Sequence, residues 1–276
     1  MNVDLHCHSN VSDGLLAPAD LVRRAASQGV AVLALTDHDQ LDGLEEARAA
    51  AREAGVAFVD GVEISVTWRG TTVHVVGLRI DASHARLGAA LETVRSGRID
   101  RARRMARDLE TVGIEGSFEG AMRHAENPQM VSRTHFARFL VANGTVPDAK
   151  SAFRHYLVPG KPGYATHQWA ALADAVAWIR AAGGQAVLAH PGRYRLGSSA
   201  LEALLAEFRG LGGKAIEVVI GSHSPEQYRQ FAELARRFGF AASRGSDFHG
   251  PREGAELGSL PQLDADLRAV WADWGH

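Results

Sequence analysis

The chain reads as an α/β protein whose strands close, or nearly close, into a barrel. Three observations predict this. Short apolar runs alternate with glycine-terminated amphipathic helices at both ends of the sequence, the rhythm of a parallel sheet covered by helices. There are about seven such runs, close to the count of the eight-stranded closed barrel. Nearly every run ends in a carboxylate, a histidine or both, as expected where strand ends share one mouth. An open doubly wound sheet is the alternative.

The elements follow in order. Residues 2–5 form a short strand. Pro18 opens a helix, PADLVRRAASQG, that closes at Gly29. VAVLAL (30–35) has the continuous apolar character of a strand buried on both faces. GLEEARAAAREAG is the next helix, ended by Gly55. VAFVDGVEISV and TTVHVVGL are strands separated by the turn-like WRG. Later, the helices LADAVAWIRAAGG, LEALLAEFRGLGG and PEQYRQFAELARRFG alternate with the strands QAVLAH, AIEVVI and FAASRGSD.

The middle breaks this rhythm. No buried strand is evident between about residues 85 and 170. LGAALETVRSGRIDRARRMARDLETVG reads as one long helix, and RTHFARFLVANG and DAKSAFRHYLV as shorter ones. The division is therefore a discontinuous barrel, 1–84 and 171–276, interrupted by a helical insertion at 85–170. PGKPGY (159–164) has the composition of a hinge.

With 276 residues, 46% of them hydrophobic, and a formal charge of −2, the chain suits one large domain with an insertion and does not suggest a protein that coats long nucleic acid. Cys7 is the one cysteine, so no disulfide framework exists. No signal-peptide layout and no membrane-spanning run are present, and the expected location is the cytoplasm.

Thirteen histidines are the unusual feature. Alternation along a strand puts His6 and His8 on one face and Cys7 on the other, where it serves as a small packing residue. Asp4 shares the histidine face, where it could orient an imidazole. Asp13 follows closely. Asp37, His38 and Asp39 follow VLALT, Glu63 ends VAFVDGVE, His74 lies in TTVHVVG, His190 ends QAVLAH, and Asp247 and His249 lie in SDFH. A lone strand histidine is usually a hydrogen-bonded core residue, and His84, His124, His155 and His276 are read as surface or packing residues. Nine candidate ligands converging on one mouth are different, because unpaired carboxylates in a cleft are costly and metal ions remove that cost. Imidazole with carboxylate suits Zn, Mn or Fe.

These segments resemble the polymerase and histidinol phosphatase (PHP) superfamily. DLHCHSNVSDG resembles its first motif, TDHD its second, GVEIS with VHVVG its third and SDFHG its fourth, and LAHPGR supplies a further histidine. The resemblance implies a distorted (β/α)7 barrel with three divalent metals, Mn foremost and Zn, Fe or Mg as alternatives. It implies that His6, His8, Glu63 and Asp247 hold one metal, that Glu63 bridges to a second held by His74 and His190, and that Asp13, His38 and His249 hold the third. Asp37 would support the ligands without binding metal. NPQMVSRTHFARFLV, YLVPGKPGYATHQW and GSHSPEQ resemble a subgroup of 3′,5′-nucleoside bisphosphate phosphatases and 5′→3′ exoribonucleases.

Phosphoester hydrolysis by a metal-activated water needs no protein nucleophile. Specificity is expected from the insertion. Six arginines lie between Arg95 and Arg107 and read mostly as a solvated helix face. Ser132, Arg133 and His135, just before an apolar helix, could share an anion. Lys161, Tyr164, His167, Arg193 and His223 are further candidates for substrate contact. The expected reaction is removal of one phosphate from a nucleoside 3′,5′-bisphosphate. The alternatives are a 5′→3′ exoribonuclease on short RNA ends, a non-catalytic nucleotide-binding module, and an amidohydrolase, which would be expected to place a lysine where Glu63 stands. No membrane and no stable long nucleic-acid complex is expected as a partner.

Overall fold

The computed structural model describes residues 1–275; His276 lies outside the described residues. In chain order the elements are β1 (Val3–Asp4), α1 (Pro18–Ser27), β2 (Val32–Leu35), α2 (Leu44–Ala54), β3 (Ala57–Trp68), β4 (Thr71–Leu78), α3 (Ala85–Arg95), α4 (Arg98–Glu110), α5 (Ser117–Arg123), α6 (Arg133–Ala142), α7 (Ala149–Ala152), β5 (Ala170–Ala171), α8 (Leu172–Ala181), β6 (Gln185–Leu188), α9 (Ser198–Gly210), β7 (Ala215–Ile220), α10 (Pro225–Phe238) and β8 (Ala241–Gly245).

Seven strands run in the order β1-β2-β3-β4-β6-β7-β8, and the short β5 pairs with β3. The ring is closed between β1 and β8 by backbone bonds from Leu5 N to Arg244 O and from Asp247 N to His6 O, at 3.0 and 2.8 Å. This is the barrel expected from the strand count, and the open sheet is excluded. The sheet is not wholly parallel, because β4 runs antiparallel to both β3 and β6. The two-residue turn Arg69–Gly70, with φ of 46° and 78°, folds β4 straight back on β3. His74, in the first half of β4, therefore reaches the same mouth that the parallel strands reach with their C-terminal ends.

One apolar cluster draws Val3, Val32, Val59, Val76, Val187 and Ala215 from six different strands, so it fills the barrel interior. A larger one packs the outward strand residues against the helices. Arg244 is fully buried and donates to the carbonyls of Val3, Pro261, Gly258 and Leu260 and to Asn2 Oδ1, fastening the C-terminal segment across the seam.

The insertion has its own core of Met105, Leu109, Phe136, Leu140 and Leu157, among others. Leu87 and Leu91 of α3 pack instead into the barrel's helix layer. The single long helix expected over 87–113 is two helices. Gly97 separates them, and any side chain there would collide with the His167 ring, whose Cε1 lies 2.2 Å from the position a Cβ would take. No helix among the described residues is long and apolar enough to cross a membrane.

Candidate active site

The nine candidate ligands meet at the barrel mouth. The rings of His6 and His8 lie side by side, with centroids 5.1 Å apart, and His8 packs against His38 and His249 at 4.5 and 4.2 Å. Cys7 points the other way and is fully buried in the helix layer. Glu63 lies in the middle of the group. Its Oε1 is 2.8 Å from His74 Nδ1 and 2.9 Å from His190 Nε2. Its Oε2 is 3.4 Å from the Nε2 atoms of both His6 and His8 and 2.9 Å from His38 Nδ1. Asp247 Oδ1 faces His6 and His8 at 3.5 and 3.4 Å. Asp13 Oδ1 faces His249 at 3.4 Å and His38 at 3.9 Å.

Four groups can be drawn in which one ligand atom from each residue lies within 4.8 Å of the others: His8, Asp13, His38 and His249; His6, Glu63 and His190; His6, His8 and Asp247; and His38, Glu63 and His74. They overlap at His6, His8, His38 and Glu63. His8 thus stands beside Asp13, His38 and His249 as well as beside His6.

The hydrogen bonding fits cations. Buried Nδ1 of His8, His38 and His190, Asp13 Oδ1 and Glu63 Oε2 have no hydrogen-bond partner among the described residues. Glu63 Oε2 and His38 Nδ1 approach to 2.9 Å without hydrogen-bond geometry, as two ligands aimed at a common third partner would. The electrostatics agree. Burial pushes His8 and His190 each down to about 3, assisted by the neighbouring His249 and Arg193 respectively. Burial opposes charge on His249 too, yet Asp13 and Asp247 carry it up to about 9. Burial would raise Glu63, but His38, His74 and His6 hold its carboxyl well below the usual range. Without metal, protons on some imidazoles neutralise the buried carboxylates. Divalent ions would do so while all the imidazoles stay neutral.

The backbone is left-handed at three of these strand ends, with φ of 48° at Asp39, 26° at His190 and 55° at Asp247. Such conformations in non-glycine residues concentrate where a site over-determines them.

The supporting residues differ in part from the sequence reading. Asp4 does not orient an imidazole. The regular strand stops at Asp4, and its carboxylate accepts instead from the backbone of Ser246 and Gly258. Glu217 does that work: Oε1 is 2.6 Å from His6 Nδ1, and Oε2 accepts from His190 N at 2.6 Å. It was overlooked, although a lone acid in the apolar run AIEVVI was a signal that the strand faces something cationic. The Asp37 carboxylate bonds no candidate ligand, although its carbonyl accepts from Glu63 N at 3.1 Å. Burial lifts it to about 6 against the bonds it accepts from Ser12 and Ser9, which brace the loop carrying Asp13.

Above the ligands lies a cleft lined by Asp13, His38, His74 and His249 from the barrel, and by Arg98, Arg101, Ser132, Arg133, Thr134 and Phe153 from the insertion, with Ser65, Thr72, Trp169 and Arg193. Arg98 and Arg101 correct the expectation of a solvated arginine face. Both are buried and flank the Trp169 ring, whereas Arg103 and Arg107 are exposed. Arg133 enters the cleft between the rings of Phe153 and Tyr164. Arg193 reaches over the mouth to Asp247 Oδ2 at 2.8 Å. Ser132 donates to Asp13 Oδ2 at 2.8 Å and caps α6.

Three other candidates are engaged elsewhere, and a fourth is exposed. His135 Nδ1 accepts from Ser132 N as the other half of the α6 capping box. His223 bridges Val218 O and Gly192 N and stacks on Phe231, a loop clamp rather than a free side chain. His167 packs on Trp169 and Gly97. Lys161 is exposed and does not line the cleft. His84 caps α3, and His124 closes α5.

A sequence model of the PHP domain matches residues 4–158. The chain belongs to the PHP domain family. It is 52% identical over 273 residues to the 3′,5′-nucleoside bisphosphate phosphatase of Chromobacterium violaceum, covering 99% of this chain and 96% of that protein. It is 42% identical over 273 residues to the 5′-3′ exoribonuclease Rnm of Escherichia coli, covering 98% and 93%. A solved structure from C. violaceum, described as an amidohydrolase with bound sulfate and no metal, matches with a TM-score of 0.95 at 52% identity, covering 98% of this chain and 95% of that one. This PHP protein is an enzyme, a metal-dependent phosphoesterase.

Proposed function

We propose that this enzyme removes one phosphate from nucleoside 3′,5′-bisphosphates, with three divalent cations, Mn foremost, held by His6, His8, Asp13, His38, Glu63, His74, His190, Asp247 and His249. The observation that carries this reading is the pairing of a carboxylate-histidine mouth with an arginine-lined cleft directly above it. A bisphosphate presents two anions, one for each.

Glu63 offers one oxygen to each half of the ligand set, which supports a bridging role. Cations bound there supply charge neutralisation and an activated water for attack on phosphorus. The side chains do the rest. Glu217 fixes the His6 ring so that Nε2 faces the mouth. Arg133, Arg98 and Arg101 gather cationic charge on the insertion side, where a second phosphate would be held by guanidinium forks. The insertion from α4 onward acts as a cap over the cleft. Three lysines occur in the chain, Lys150, Lys161 and Lys214, and all are exposed, so nothing here supports a lysine-bridged amidohydrolase centre.

Exonuclease action on short RNA is the second reading, favoured by the Rnm likeness and by the same cleft. The test is a panel of 3′-phosphoadenosine 5′-phosphate, AMP and short 5′-phosphorylated RNA, each with Mn²⁺ and with chelator. The expected result is the highest kcat/KM on the bisphosphate and none with chelator. A higher kcat/KM on RNA would reverse the order of the two readings.

A further inference from the structure

We propose that the insertion is also a positioning device for one part of the metal centre: Arg98, Ser132 and Arg138 hold the Asp13–His38–His249 group in register, so that its cation binds tightly only while the cap is docked. This rests on the metal reading above and adds to it residues outside the ligand set.

Among the polar contacts between the cap and the barrel, those of Arg98, Ser132 and Arg138 each land on the loop of a different member of that group, and Asn10–Glu126 and Asn127–Val11 O add to those on the Asp13 loop. Arg98 of α4 pairs with the carboxylate of Asp39, the residue after His38, and reaches Ser65 Oγ at 3.2 Å. Its neighbour Arg95 donates to Asp39 O at 2.7 Å. Asp39 has the left-handed backbone noted above, and these bonds, with those from Ser65 N and Oγ, hold it there. Ser132 donates to Asp13 Oδ2, which occupies that oxygen and leaves the buried Oδ1 without a partner, turned toward His249 and His38. Arg138 of α6 makes a two-pronged contact with Glu253, at 2.9 and 2.7 Å, in the loop that leaves His249.

The other ligands have barrel supports. Glu63 and His74 lie within the paired strands β3 and β4. His6 and His190 are both tied to Glu217 of β7. Loosening the cap contacts should therefore leave those positions intact while the Asp13 group loses its geometry. Contacts that orient a metal ligand typically govern metal affinity by ten- to a hundredfold.

The test is Mn²⁺ titration, followed by electron paramagnetic resonance and by elemental analysis after desalting. The full-length chain is compared with Arg98→Met, Arg138→Met, Ser132→Ala and Ser132→Thr. Ser132→Thr keeps the hydroxyl and the helix cap. Thermal unfolding of each metal-free variant reports whether it folds. The expected result is three Mn per wild-type chain. In Arg98→Met, Arg138→Met and Ser132→Ala two are retained, and the weakest dissociation constant rises about ten- to a hundredfold. Ser132→Thr should retain three. Should the methionine variants fail to fold, the Ser132→Ala and Ser132→Thr pair decides. Fewer than three Mn in the wild type overturns the metal reading itself. Three in the wild type, with the variants unchanged or with loss spread evenly over all sites, overturns this inference alone.

Discussion

Replacing Arg133 by alanine separates substrate choice from chemistry. Arg133 lies in a desolvated cleft with Arg98, Arg101 and Arg193, and it makes no ion pair within 4 Å among the described residues. Burial, with Arg193 nearby, lowers its pKa from 12.5 to about 10, which corresponds to on the order of 3 kcal/mol for keeping the cation there. A protein retains such a group where an anion will meet it. Its one hydrogen bond of the fold, to Leu157 O, is long at 3.5 Å. A charge-assisted contact to the second phosphate is worth roughly 1.5–3 kcal/mol, so Arg133→Ala should lower kcat/KM for the bisphosphate by about ten- to a hundredfold. Hydrolysis of p-nitrophenyl phosphate, which has no second phosphate, should change little. The melting temperature should hold or rise, because a desolvated charge has been removed. Steady-state kinetics on both substrates and a thermal melt decide it. Equal losses on both substrates would refute the reasoning and assign Arg133 to the metal-bound phosphate or to the fold.

Three further outcomes are expected. Glu63→Gln should reduce occupancy at two metal positions and His249→Ala chiefly at one, because both Glu63 oxygens are engaged by different histidines; metal counting on the purified variants checks this. Glu217→Gln should weaken metal affinity or activity by about ten- to a hundredfold with the fold intact, since it removes the charge that orients His6; isothermal titration with Mn²⁺ and circular dichroism would show both. Gly245→Ala should destabilise the chain by about 1–3 kcal/mol, since the new Cβ would lie 2.5 Å from His6 Cβ and 2.7 Å from His6 N; chemical denaturation measures it.

Much of the barrel was legible because its signals are local. Continuous apolar runs such as VLAL, helix-ending glycines such as Gly55 and Gly239, and the alternation that sets His6 and His8 apart from Cys7 all depend on near neighbours. The candidate ligands were visible for a topological reason: strand ends that share a mouth need no long-range calculation to be brought together. What was missed depended on packing between elements. The RSGR stretch carried a glycine signal for the break between α3 and α4, and the His167 ring against Gly97 explains why no larger residue fits there. Arg98 and Arg101 share the buried side of α4 with Ala102 and Met105, and sequence cannot tell whether such an arginine stripe faces water or another part of the chain. Asp4 was misplaced because alternation was carried past the end of a two-residue strand. Glu217 is recognisable only once β7 is known to face His6.

The proposed site holds three cations at this mouth, with Glu63 between two of them. Crystals soaked in Mn²⁺, with diffraction recorded near the Mn absorption edge, test it directly. Three anomalous peaks per chain are expected, two of them sharing Glu63 and the third among Asp13, His38 and His249. A single peak, or peaks that leave Glu63 without a metal neighbour, would contradict it.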